Sequence, residues 1–162
     1  MARILGLPAD AVPVLMETEL KYELGHLRAN PLVGELVKDA LGRGIPIIAV
    51  SDMYWGGKAL GDLLTQLLPE AEKFKKVYSS SDFGVSKAAG VLFDRVLAEM
   101  GCPPGAMLHL GDNFQADFQV PFVRHGIRSI WLPRSSFHTA ICGGKQKRLI
   151  RKLHERNILH GL

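Results

Sequence analysis

Little in this sequence asks for an oxidising compartment or a membrane. Only two of its 162 residues are cysteine, Cys102 and Cys142, and their spacing fits no metal-ligand pattern. Two reduced thiols in a cytoplasmic setting are therefore expected. No apolar run reaches the roughly eighteen residues that a membrane-spanning helix needs. The apolar part of Met1–Pro8 is too short for a signal peptide. There is no internal repeat to suggest a solenoid and no low-complexity segment. A basic body is missing too. The net charge is +4, but residues 143–162 carry six Lys and Arg against one acid, Glu155, so the remainder is close to neutral. A nucleic-acid surface is not expected from such a body. What is present is ordinary globular composition, 47% hydrophobic and 22% charged, in a length suited to one domain with its own core.

The apolar pattern begins at helical spacing. Asp10 is placed to cap a helix through Val14, Leu15, Leu20, Leu24 and Leu27, with Pro13 tolerated in the first turn. Asn30-Pro31 supplies a cap and a first-turn proline for a second helix, striped by Leu32, Val33, Leu36, Val37 and Leu41 and ended by Gly42 and Gly44. Then the period changes. Ile45 to Val50 is a short, continuous apolar run of the kind buried in parallel sheets. Lys76–Ser80, Ala106–Leu110 and Arg128–Leu132 read as further strands. Helical stretches lie between them: Leu60 to Leu68, stopped by Pro69; Val91 to Met100, closed by Gly101; and Phe118 to Val123, broken or kinked at Pro121. Alternation of this kind predicts an α/β layer fold with a parallel sheet, whose functional residues gather beyond the carboxyl ends of the strands.

Three such ends carry chemistry. Ser51-Asp52 follows the first strand, where a hydroxyl and successive amides can meet an anion. Lys87 lies before the helix that follows the second strand. Asp112 and Asp117 follow the third across a turn, and hard carboxylate oxygens suit magnesium. Each also reads as ordinary local structure: a capped turn at Ser51 and Asp52, a solvated lysine, a turn with a helix cap at Asp112. Taken in order, they supply a donor to a phosphoryl oxygen, a charge neutraliser and a metal site, the parts that phosphoryl transfer requires. These side chains are expected to converge on one cavity.

This order is similar to that of the haloacid dehalogenase (HAD) superfamily of phosphohydrolases. Ile45–Ser51 resembles its second motif, Lys87 its third, and Gly111-Asp112 with Asp117 its fourth. The stretches AVSDMYWGG, VYSSSDFGVSKAAGVLFDRVL and LHLGDNFQAD resemble a branch found with bacterial cell-surface polysaccharide enzymes, often beside glycosyltransferases. The resemblance covers Ala9 to Leu132. It implies a three-layer Rossmann-like core over residues 31–135, a helical cap remnant over 1–30 and a basic helical tail over 136–162. It implies Mg2+ as cofactor and a phosphorylated small molecule or sugar phosphate as substrate. Ser51, Asp52 and Lys87 would bind phosphate, with Ser51 and Lys87 catalytic, and Asp112 and Asp117 would hold the metal.

The family's first motif has no counterpart. That motif is a strand ending in Asp-x-Asp, whose first aspartate is the nucleophile and whose second is the general acid and base. No Asp-x-Asp occurs in this sequence, and Asp10, the only acid before Glu17, follows Leu7-Pro8-Ala9 rather than a buried strand. The motif is expected upstream of Met1, and covalent catalysis by this chain alone is expected to be closed. The resemblance puts the absent strand between those ending at Ser51 and Asp112. Its loss would leave two edges, to be closed by direct pairing or by self-association. The alternative is a non-catalytic folding or interaction module attached to a polysaccharide-synthesising enzyme. Among the other residues, Trp55 is expected near the substrate mouth by resemblance, or as a partly buried loop aromatic. His109 is expected as a satisfied core histidine, and Lys145–Leu153 as a helix docked by its apolar side. Gly56-Gly57-Lys58 lacks the residues that complete a P-loop.

Overall fold

Asn30 and Pro31 start a helix as their chemistry dictates. The computed structural model, which describes Pro8 and residues 10–134, places helix α2 at Pro31–Gly42, with the Asn30 side chain accepting from Leu32 N–H at 3.0 Å. The tail over 136–162, with Lys145–Leu153 and Cys142, and the segment Ala2–Leu7 lie outside the described residues. The chain divides into two compact units, Met1–Lys87 and Ala88–Leu162.

In the first unit, helix α1 (Ala11–His26) precedes α2. Asp10 stands at its N-cap position but makes no side-chain cap bond. No residue of α1 is buried, and of its expected stripe Leu20 and Leu24 pack against the core while Val14 stays exposed. Strand β1 (Ile48–Ser51), helix α3 (Gly57–Leu67) and strand β2 (Lys76–Ser79) follow, with a 3-10 turn at Pro69–Lys73. β1 and β2 pair in parallel, Ile48 opposite Lys76 and Ser51 opposite Ser79. A parallel pair needs a crossover, and α3 supplies it. Trp55, Leu60 and Leu63 form the core under α3, with Leu20, Leu24, Met53 and Val77 packed around them. A short helix, α4 (Ser80–Phe83), then ends at Gly84 with φ 65°.

The second unit repeats the plan. Helix α5 (Val91–Met100) is closed by Gly101 at φ 62°, where a left-handed residue satisfies the last turn. Strands β3 (Leu108–Gly111) and β4 (Arg128–Trp131) pair in parallel, Leu108 opposite Arg128 and Gly111 opposite Trp131. Leu92, Phe93, Val96 and Ile127 are fully buried. The crossover is a π-helix, Phe114–Arg124, that passes through Pro121. A break or kink was expected there, because proline lacks an N–H and its ring crowds the carbonyl four residues back. Wider winding moves that carbonyl away from the ring.

The described residues are thus of the α/β class: helices and two two-stranded parallel sheets, β1 with β2 and β3 with β4. Each strand has one ladder partner among the described residues. No helix among them is long and apolar enough to cross a membrane.

Candidate functional site

Ser51 ends β1, and its Oγ accepts from Met53 N–H at 3.0 Å. That bond fixes the turn and leaves the hydroxyl hydrogen to donate. The next residue reaches across the unit: Asp52 Oδ1 accepts the backbone N–H of Lys87 at 2.8 Å. The fold therefore brings the Lys87 backbone to Asp52, next to Ser51, at the carboxyl end of β1. Asp52 meets a backbone donor, so its part here is to hold the Lys87 segment.

Two residues that the sequence reading passed over shape this end. Ser79, fully buried at the end of β2, has its Oγ against the carbonyl of Trp55 and 3.0 Å from that of Met53. It closes the loop after β1. Asp82 Oδ2 accepts Gly57 N–H at 2.8 Å, setting a carboxylate at the N-terminus of α3. A Cβ on Gly57 would fall 2.7 Å from the Val77 carbonyl oxygen, so close approach explains this glycine. The run Ser79-Ser80-Ser81-Asp82 shows polar side chains at a strand end, but the partners that shape this end lie 24 to 26 residues earlier.

Trp55 is a core residue that also borders a pocket with Met16, Leu20 and Ala59. It is 4% exposed, and its indole N–H donates to Glu19 Oε2 at 3.1 Å. The Tyr54 hydroxyl donates to Glu19 Oε1. That hydrogen bond, then burial, pushes the Tyr54 hydroxyl up to about 12. Glu19 thereby ties α1 to the loop after β1.

In the second unit, Asp112 and Asp117 flank the turn after β3. Asn113 Oδ1 accepts Ala116 N–H at 2.9 Å, and Asp117 Oδ2 accepts Asn113 N–H at 3.0 Å, a reciprocal cap at the start of the π-helix. Asp117 Oδ1 lies 3.2 Å from His109 Nε2, so His109 is a satisfied core histidine. A Cβ on Gly111 would lie 2.3 Å from Asp117 Cγ, which is why glycine precedes Asp112. Asp112 Oδ2 accepts from Arg134 Nε, and its carbonyl accepts Trp131 Nε1–H at 3.0 Å. Phe114 packs edge-on to Trp131 at 5.3 Å and stacks on Phe118 at 5.5 Å.

No group of three or more His, Cys, Asp or Glu side chains is gathered for a metal among the described residues. Magnesium does not require one, because it keeps several waters and takes one or two carboxylates beside phosphate oxygens. The turn after β3 carries two such carboxylates. Asp117 is a buried carboxylate seated in the cradle that Gly111 leaves open, and Asp112 is a partly exposed one whose present partner is Arg134. In comparisons with known proteins, no family model and no curated protein matches this chain.

Proposed function

We propose that this chain is the core of a HAD-type phosphohydrolase or phosphotransferase with a three-layer core. By the family's route, phosphoryl transfer would pass through an aspartyl-phosphate on an Asp-x-Asp strand, a motif this sequence does not contain. The observation that carries the reading is the bond from Lys87 N–H to Asp52 Oδ1, which holds the third-motif lysine segment beside the second-motif serine, 36 residues earlier. Ser51 donates its hydroxyl hydrogen to a phosphoryl oxygen, and Lys87 neutralises phosphoryl charge. Asp112 and Asp117 would hold Mg2+, which supplies further charge neutralisation when bound. The substrate class is a phosphorylated small molecule or sugar phosphate, in a cytoplasmic setting. Strands with one partner each are what this reading expects of a sheet without its central strand.

The test is titration of the whole chain with tungstate, a phosphate mimic, in the presence of Mg2+. Ser51→Ala and Lys87→Met should each weaken binding by about tenfold or more, since hydrogen bonds to charged groups are the strong ones. Binding that neither change affects would overturn the assignment. Turnover of an aryl phosphate should be unmeasurable, because the nucleophile is absent. Turnover that disappears in Lys87→Ala and Asp112→Ala would show that another residue replaces the aspartate.

The missing Asp-x-Asp favours a second reading for the chain as it stands, a non-catalytic module attached to a polysaccharide-synthesising enzyme. Such a module would bind no tungstate in the same titration.

A further inference from the structure

We propose that His109 is a positioning residue for Asp117, holding one carboxylate oxygen so that the acid is set before any cation arrives. The proposal rests on the reading of Asp117 as a metal ligand. His109 and Asp117 are 12% and 4% exposed at their side chains, so neither swings freely into water. Nε2 lies 3.2 Å from Oδ1, while Oδ2 takes the Asn113 N–H at 3.0 Å. Each oxygen thus has its own partner. Phe93, fully buried, packs edge-on against the His109 ring at 5.1 Å and 83°, which blocks rotation of the imidazole. Gly111 contributes by having no side chain, since a Cβ there would displace the carboxylate. Ring, amide and cradle fix the plane of Asp117 without touching a substrate. Partners of this kind orient a ligand and tune its affinity. Donation to a carboxylate also demands that Nε2 carry a hydrogen.

Two measurements on the whole chain test this. Mn2+ is titrated by electron paramagnetic resonance into wild type, His109→Phe and His109→Gln. The first variant keeps a ring without a donor, and the second keeps a side-chain N–H of similar reach. His109→Phe should weaken Mn2+ by roughly tenfold to a hundredfold, the usual loss on removing an outer partner, and His109→Gln should recover most of it. The second measurement is the long-range proton–nitrogen spectrum of the wild-type imidazoles. His109 should show the Nε2–H form, and its nitrogen shifts should change in Asp117→Asn. Mn2+ binding in a folded His109→Phe variant as tight as in wild type would overturn the proposal, as would a ring with no hydrogen on Nε2. A wild-type chain with the Nε2–H signature but no Mn2+ binding would sink the metal reading of Asp112 and Asp117. It would leave His109 as the residue that holds the Asp117 carboxylate.

Discussion

The Asp117 carboxylate occupies the space that a side chain on Gly111 would need, with 2.3 Å between its Cγ and a Cβ placed there. Gly111→Ala should therefore push a buried acid off its two donors. Overpacking of this sort costs about 1–3 kcal/mol. Gly42, in α2, has nothing within 4 Å of the same position. Gly42→Ala should be neutral or stabilising by up to about 1 kcal/mol, through the unfolded chain. Urea midpoints of the two variants check the contrast, and equal effects would contradict the cradle.

Asp52 was expected among the phosphate-binding residues, yet its side chain holds the Lys87 amide. Asp52→Asn keeps an acceptor oxygen and removes a negative charge from the end of β1, where the proposal puts the anion. It should bind tungstate at least as well as wild type. Asp52→Ala removes the acceptor, frees the Lys87 segment and should weaken binding several-fold. Weaker binding in both variants would show that the carboxylate charge itself matters.

Tyr54 gives a pH dependence at the alkaline end. The pKa of its hydroxyl is raised to about 12 by donation to Glu19, so the neutral form is favoured in the folded chain. Its stabilisation is full below the unfolded value of about 10. It is lost as pH rises from there through the folded value, because the unfolded chain releases its proton first. Wild type should lose stability across that window faster than Tyr54→Phe, measured as the difference between their urea midpoints. Parallel curves would show that the Glu19 contact contributes nothing.

Each described strand has a single ladder partner, and Leu108, Ile130 and Trp131 of the second sheet are exposed. Unpaired strand edges recruit other strands. Concentration-dependent association is expected in sedimentation, favoured by about 25 cal/mol per Å² of apolar surface removed from water. A monomer at every concentration, with fast amide exchange along β1 and β3, would contradict it.

Much of this fold was legible because its signals are local. Asn30-Pro31, the stripe of α5 closed by Gly101, and the four apolar runs each carry their own start or stop. What escaped depends on residues far away in sequence. Trp55 is core because Glu19, 36 residues earlier, takes its indole N–H. Asp10 caps nothing although its type and position are right. Pro121 sits inside a π-helix, whose wider winding eases the crowding of its ring although the missing N–H remains. At the candidate site the residue types were readable from strand ends, but their partners were not. Asp52 with the Lys87 amide, Asp117 with His109, and Asp112 with Arg134 are side-chain contacts that no spacing announces.

Ser79 has a consequence for the order in which this region becomes structured. Its hydroxyl meets carbonyls 26 and 24 positions earlier, so the loop after Ser51 is completed by a residue that arrives in place only with β2. Until that strand docks, the local bond between Ser51 and Met53 is left to shape the loop without the Ser79 contacts. The loop should lose those contacts whenever the strand departs, since native proteins open in cooperative blocks rather than residue by residue. The serine that would greet a phosphoryl group thus inherits part of its geometry from another serine a helix away.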